Sequence, residues 1–392
     1  MSFRGDLFDS LFSDSEKQYL DTANEFAVKY LTEPNITTWC AQGGIPLDIL
    51  EAYKESGLGF VGLKPEWGGP EASPLAQALI VEELSRVAGT TLPMQTQMNT
   101  WITLSKFATK EQAQPFIDQY AERGVSLLSM AFTDASGGSD LKGYQTHVET
   151  RNGKRYINGT KSFVSNGRFV SYFVVLAKDM NYAEEMVNAP ISLWLIPSNI
   201  PGIKFHSMNL LGQKLVSMTA VSFEDVEVQP EWRIGEPILS QQESHQVFRR
   251  TRCLVSAASL GMAQGALEDA AHYANYRFLK NNPIAKLQQI AVKLSDMQTS
   301  LYNMRFLVYN AAMELDKEDE KAAFSNAMMK KFVPAEATKV ANDGMQILGG
   351  VGYTDSSRIG RIWLDCRGNQ FAASTDEVMN ILLAKEISKR YK

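Results

Sequence analysis

The apolar residues of this 392-residue chain change their spacing twice, and that change limits the folds open to it. From Phe8 to about Arg123 they recur at intervals of three and four. Leu20, Ala23, Phe26, Ala27 and Tyr30 follow this rule, as do Leu47, Leu50 and Tyr53. That is the period of helices with one buried face. The run Asp9 to Ser15 offers several N-caps, the Gly/Pro-rich stretch Gly57 to Pro70 breaks the pattern, and Leu75 to Ala88 resumes it. Near residue 125 short β-rich runs take over, among them Tyr172 to Leu176 and Leu193 to Ile196. In the stretch Met218 to Trp232, Val221 and Phe223 share one face of a strand, and Val226 and Val228 one face of its continuation. Antiparallel strands at this spacing predict a small barrel or sandwich. From Gln242 the helical period returns, in segments near 244–277, 284–316, 319–347 and 374–390, which predict a four-helix bundle. The class is therefore α+β, with a helical domain over 1–124, a β domain over 125–235 and a helical bundle over 236–392.

Bulk properties remove several functions. A net charge of −5 carries no basic excess for nucleic acid or an anionic membrane. The first residues include an early acid and no long apolar run, so neither a signal peptide nor a membrane span is read, and a cytoplasmic location is expected. Cys40, Cys253 and Cys366 are odd in number and far apart, as free thiols are. The four histidines lack ligand spacing, so no metal is expected.

The densest chemistry lies between Met130 and Asn166. Its first half ends in Thr133-Asp-Ala-Ser-Gly-Gly-Ser-Asp140, a loop whose glycines let backbone N–H groups approach a bulky or anionic ligand. Its second half reads as a hairpin, Lys154–Ile157 and Lys161–Val164 about an Asn158-Gly159 turn. Together with the C-terminal half this stretch resembles the acyl-CoA dehydrogenase family of flavoproteins, over nearly the whole chain. The loop is similar to that family's Thr-Glu-Pro-x-x-Gly-Ser-Asp, with Asp134 for Glu and Ala135 for Pro. The resemblance implies that Phe132, Thr133, Gly138 and Ser139 line an FAD and the thioester arm of a substrate. It implies that Phe163 packs beside the isoalloxazine and that Ser165 bonds flavin N5. Arg277 and Gln288 resemble a pair that contacts the FAD pyrophosphate across a subunit interface, and Gln346, Gly349 and Gly350 a glycine-rich turn over that neighbouring cofactor. A homotetramer follows from these crossings. The small residues Ala257, Gly261 and Gly265 lie on one helical face and favour close packing.

One part of the pattern is missing. Removing the proton beside a thioester carbonyl takes a carboxylate with a raised pKa. The family carries a glutamate near the C-terminus, and here Ala373 stands in its place, with Thr375 on the family threonine. A minority carry it on the central helix, where Thr251 falls, beside Arg252. Asp376 and Glu377, three and four residues past Ala373, are expected to share its helix face and are candidates for a shifted base, the alternative for Asp376 being to face solvent or cap the helix. Glu377 also replaces a glutamine that touches the cofactor, and Glu243 and His245 are further candidates. The Ala373 N–H remains able to polarise a carbonyl, and Ala372 with Ala373 leaves room for a bulkier acyl group. The resemblance thus implies an FAD-dependent dehydrogenase on an acyl thioester of CoA or an acyl carrier protein, in a biosynthetic pathway. Its electron acceptor would be a flavoprotein or O2. A flavin oxidase or monooxygenase, and a non-catalytic homologue, are the alternatives.

Overall fold

Ser13 starts the first long helix. Its hydroxyl accepts from the Glu16 N–H while the Glu16 carboxylate accepts from the Ser13 N–H, a reciprocal cap. The computed structural model describes residues 6–123, 127–167, 169–236, 241–315 and 320–391. Its first third is helical: α1 (Asp6–Asp9), α2 (Asp14–Tyr30), α3 (Glu33–Gln42), α4 (Leu47–Glu55), α5 (Pro74–Ala88), α6 (Pro93–Phe107) and α7 (Lys110–Arg123).

A sheet follows, from β1 (Leu127–Ala131), β2 (His147–Arg151), β3 (Lys154–Val164), β4 (Val170–Asp179), β5 (Ile191–Pro197), β6 (Ile203–Ser207), β7 (Thr219–Val228) and β8 (Arg233–Ile234). The order is β6-β7-β3-β2-β4-β5-β8, with β1 also on β4. The sheet is mixed and not purely antiparallel, because β4 runs parallel to both β1 and β2. Val221, Phe223, Val226 and Val228 are all buried; Asp225, at φ +48°, absorbs the odd step between the two pairs.

The expected hairpin at Asn158-Gly159 does not form. β3 runs unbroken through that pair, because β2 occupies one of its edges and β7 the other. Asn158 and Gly159 make a bulge instead, and the register against β7 slips between Ile157 and Gly159. Asn158 fixes it by accepting from the Asp225 N–H at 2.9 Å and donating to the Asp225 carboxylate at 3.1 Å. Gly159 sits at φ +136°, and a Cβ there would come within 2.5 Å of the Thr146 Cα. The Asn-Gly turn that does reverse the chain is Asn152-Gly153, between β2 and β3. Its φ values of +52° and +77° suit a two-residue loop with two left-handed residues.

The last third comprises α8 (Gln241–Tyr276), a short hairpin of β9 (Phe278–Leu279) and β10 (Asn282–Pro283), α9 (Gln288–Glu314), α10 (Glu320–Leu348), α11 (Arg358–Asn369) and α12 (Asp376–Arg390). The four expected segments are α8, α9, α10 and α12. Helix α11 is additional, and its buried face explains why the period passed over it: Asp365 and Asn369 sit there among Ile359, Ile362 and Cys366.

The N-terminal helices pack directly on this bundle. A Cβ on Gly261 of α8 would lie 2.0 Å from the Glu82 carbonyl oxygen of α5, and one on Gly265 would lie 2.8 Å from that of Arg86. Charged side chains span the same contact. Glu82 accepts from Tyr309 at 2.6 Å and pairs with Arg305 at 3.3 Å, all three fully or almost fully buried. Arg358 of α11 reaches the Arg86 and Val87 carbonyls and pairs with Asp269. A second apolar cluster joins α6 and α7 to the sheet through Trp101, Phe116, Tyr120, Leu128 and Phe132. Among the described residues, no helix is long and apolar enough to cross a membrane.

Candidate active site

The two halves of the Met130–Asn166 stretch meet edge to edge. The Thr133 carbonyl accepts from the Ser162 N–H and the Ala135 N–H donates to Thr160, so the loop rides on β3. Asp134 anchors it. Its carboxylate accepts from the Thr146 N–H at 2.9 Å and from Ser136, and it pairs with the wholly buried Lys161 at 3.4 Å. Lys161 also donates to the Phe132 carbonyl and lies 4.3 Å from the Tyr144 ring centroid. Burial works to raise the Asp134 carboxyl, but the Thr146 side chain and N–H, Lys161 and the Ser136 N–H outweigh it and hold it at about 2. Burial pushes Lys161 down to about 8 against the pull of Asp134. Gly138 and Ser139 are left exposed at the loop tip, with Thr133 half-buried behind them.

Just beyond, Phe163 takes φ +55° and exposes its ring to solvent by 52 %. A left-handed aromatic residue on an exposed ring is an outlier with a cost, of the kind found where a ligand is held. Asn166 and Ser217, beside it, are left-handed too. Ser165 lies 3.7 Å from the Met218 sulfur and remains partly accessible.

A chain of contacts joins this edge to the C-terminal turn. Phe132 packs edge-on against Phe248 of α8, with 5.8 Å between centroids, and the Arg252 guanidinium lies 6.0 Å from the Phe248 ring. Arg252, 95 % buried, donates from Nε to the Ala373 carbonyl at 3.2 Å and from Nη2 to the Ser374 hydroxyl at 3.1 Å. Ala373 and Ser374 have φ of +58° and +105°, so the turn precedes the helix and is not part of it. The expectation that Asp376 and Glu377 share a helix face with Ala373 therefore fails. α12 begins at Asp376, and Thr375 is its N-cap, accepting from the Val378 N–H.

The two carboxylates after the cap differ. Glu377 is exposed, and its backbone amide and the Thr375 hydroxyl hold it below the usual carboxylate range. Asp376 is half-buried and its Oδ1 is buried without a hydrogen-bond partner among the described residues. Burial raises its carboxyl, opposed by Lys330 and aided by Glu377. Lys330 was missed in the sequence although α10 signals it, since it falls in the buried register of Ala327, Val333 and Ala337. Wholly buried, it donates to the Gln370 carbonyl at 3.3 Å, and burial lowers it to about 8, against Asp376 and together with Arg252.

At the other base position the Thr251 hydroxyl sits between both amide atoms of Asn99 of α6, at 2.8 and 3.1 Å. Asn99 also lies 3.0 Å from the Met130 sulfur. It was likewise missed, and a buried amide on an otherwise mixed helix face leaves no distinct signal. The side chains of Glu243 and His245 lie outside the described residues.

Arg277, Gln288, Gln346, Gly349 and Gly350 are not brought to this turn. All five are exposed. Arg252 and Arg277 lie near opposite ends of α8, roughly 35 Å apart at 1.5 Å per residue. α10 runs parallel to α8: Asn326 bonds the Arg249 carbonyl, and Gly344 approaches that of Ala266. The glycine turn after α10 therefore falls at the Arg277 end, and a Cβ on Gly349 or Gly350 would meet nothing within 4 Å.

An exposed strained ring, hydroxyls on one strand edge and a glycine loop suit a flat aromatic cofactor with polar edges. A Cβ on Gly138 would lie 3.2 Å from the Thr133 methyl, so the loop has little room for a larger residue. The models of the acyl-CoA dehydrogenase N-terminal, middle and C-terminal domains match residues 13–124, 129–226 and 244–388. A probable acyl-CoA dehydrogenase of Escherichia coli, YdiO, is 31 % identical over 382 residues, covering 97 % of this chain and 99 % of its own. An acyl-CoA dehydrogenase structure from Slackia heliotrinireducens matches with TM-score 0.85 and 35 % identity over 97 % of this chain and 98 % of its own. Butyryl-CoA dehydrogenase from Megasphaera elsdenii matches with TM-score 0.87 and 25 % identity over 96 % and 98 %. The chain belongs to the acyl-CoA dehydrogenase family, and with it to the FAD-dependent oxidoreductases that act on CH–CH groups.

Proposed function

We propose that the chain oxidises the bond next to the carbonyl of an acyl thioester, and that the clamped Ala373 turn is its carbonyl-binding element. The carrying observation is the pair of hydrogen bonds from buried Arg252 to Ala373 and Ser374. They fix a left-handed turn in which, among the described residues, nothing accepts from the Ala373 N–H. A preset N–H beside a buried guanidinium stabilises negative charge on a thioester oxygen as it becomes an enolate. FAD, when bound, supplies the hydride acceptor. On this reading Phe132, Thr133, Gly138, Ser139, Phe163, Ser165, Thr375 and Glu377 border it. Asp376 takes the proton: of the two nearby carboxylates it alone has the raised pKa a base needs.

The relatives' names support CoA as the thiol carrier, and one matched structure (27 % identity, TM-score 0.87) concerns the electron transferring flavoprotein of Acidaminococcus fermentans, the acceptor class we assign. A carrier-protein thioester in a biosynthetic pathway is the narrower form, which the small Ala372 and Ala373 would accommodate. Exposure of Arg277, Gln288, Gln346, Gly349 and Gly350 at the far end of α8 supports contacts to a neighbour's FAD within a homotetramer.

The test is anaerobic mixing of the flavin-loaded protein with a panel of acyl thioesters, following the oxidised flavin band. Bleaching by one of them, lost in Asp376→Asn, supports the whole reading. Bleaching kept in Asp376→Asn removes Asp376 from the proton step. No bleaching by any thioester, with rapid oxygen uptake once the flavin is reduced chemically, favours an oxidase or monooxygenase.

A further inference from the structure

Asp365 and Asn369 are buried polar side chains four residues apart on one face of α11, and the proposed mechanism gives them no part. Asp365 joins three regions of the chain. One carboxylate oxygen accepts from the Thr90 hydroxyl at 2.7 Å and the Thr91 N–H at 2.8 Å, in the connection between α5 and α6. The other accepts from the Gln213 N–H at 2.5 Å, in the connection between β6 and β7. Asn369 holds the Gln213 side chain, accepting from its amide at 3.0 Å while donating to the Ser259 hydroxyl of α8 at 3.0 Å. Gln213 is left-handed, at φ +54°, and a Cβ on Gly212 would lie 2.5 Å from the Asp365 carboxylate, so loop and carboxylate are closely fitted. Both connections run on to the same residue at the end of β3. Three residues past Gln213, the Val216 carbonyl accepts from the Asn166 N–H at 2.7 Å, and the Ser217 carbonyl accepts from the Gly167 N–H at 3.1 Å. Two residues past Thr91, the Pro93 carbonyl accepts from the Asn166 side-chain amide at 3.3 Å. Asn166 is left-handed, as is Phe163 three residues before it, and such conformations persist only where the surroundings impose them.

We propose that Asp365 is a positioning residue for the flavin: assisted by Asn369, it sets the conformation of Phe163 to Asn166 at the end of β3, acting through Gln213 and Val216 on one side and through Thr91 and Pro93 on the other. This rests on the placement of FAD at the β3 edge proposed above and adds the residue that presets that edge. A carboxylate can serve all three donors at once because it is acceptor-only, with two oxygens to offer, whereas an amide of the same shape turns a donor toward one of them.

Amide hydrogen exchange on the flavin-free protein, together with FAD titration, tests it. In Asp365→Asn the Asn166 and Gly167 amides should exchange roughly tenfold to a hundredfold faster, and FAD should bind about tenfold more weakly, the worth of a buried donor left unpaired. Gln213→Ala keeps the backbone bond to Asp365 and loses the one to Asn369, so it should move both readings the same way by a smaller factor. Tyr309→Phe takes a hydrogen bond from the buried Glu82 carboxylate, away from this edge, and should lower stability while moving neither reading. Unchanged exchange at Asn166 and Gly167, or unchanged FAD affinity, in Asp365→Asn overturns the proposal. The placement of FAD still stands in that event if Phe163→Ala or Ser165→Ala weakens FAD binding. FAD binding indifferent to both of those substitutions overturns placement and proposal together. Should Asp365→Asn fail to fold, Gln213→Ala decides, and unaltered exchange and FAD affinity in that variant overturn the proposal.

Discussion

At the scale of single residues, the site is held by charges that have little choice of partner. Asp134 keeps the glycine loop on β3 and neutralises Lys161, with both side chains almost wholly buried. Removing one member of such a pair strands the other, which typically costs about 3–5 kcal/mol. Asp134→Ala should therefore lower the unfolding free energy by about that amount and reduce the flavin retained on purification. Denaturant titration and the flavin-to-protein ratio measure the two effects. Lys330 gives a pH dependence of definite sign. Its folded pKa, about 8, lies below the usual lysine value of 10.5, so the folded state holds the proton less tightly than the unfolded chain. The penalty is fully present below pH 8 and is relieved as pH rises toward 10.5. The unaltered protein should thus gain stability relative to Lys330→Met between pH 8 and pH 10. Comparing the two at equal pH cancels the buried tyrosines Tyr53, Tyr120 and Tyr144, whose raised pKa values act above pH 10. A constant difference over that range would show that Lys330 is not desolvated.

At the scale of elements, the crossing of α5 and α8 depends on a glycine. A methyl group at residue 261 would press on the Glu82 carbonyl from 2.0 Å, and backbone cannot step aside as a flexible side chain can. Overpacking of this kind costs about 1–3 kcal/mol, so Gly261→Ala should be destabilising although alanine favours helices. Thermal melts would show it, and an unchanged midpoint would mean that α5 can shift. The Ala257–Gly261–Gly265 stripe announced this contact in the sequence, because small residues at helical spacing serve close approach. The helix segments were legible for the same reason: each long helix buries one regular face. What escaped had a mixed face or a competing signal. Helix α11 hides Asp365 and Asn369 among its apolar contacts. Asn158-Gly159 carries the stronger-looking hairpin sequence, yet pairing on both edges of β3 made it a bulge and left the reversal to Asn152-Gly153. The left-handed Ala373 and Ser374 could not be foreseen, since neither residue type favours that conformation; Arg252 imposes it.

At the scale of the whole molecule, the proposed function divides the cofactor contacts of one chain between two sites. The loop, β3 and the Ala373 turn gather around the start of α8, while Arg277 and the Gly349–Gly350 turn stand exposed at its far end, where a Cβ on either glycine would meet no described residue within 4 Å. Roughly 35 Å of straight helix separates the two groups, longer than a single bound dinucleotide would bridge while also lying along β3. An exposed arginine at the same end of α8 as an open glycine turn fits a diphosphate brought by another copy of the chain. Arg277→Ala should then purify with much less flavin. Its flavin-free form should melt at the same temperature as unaltered flavin-free protein, because the Arg277 side chain is exposed and its substitution opens no cavity. Flavin content should also fall on dilution in step with dissociation of the oligomer, as followed by light scattering. Full flavin content in Arg277→Ala, or flavin that stays on a monomer, would place the whole cofactor within one chain and leave the far end of α8 without a role in holding it.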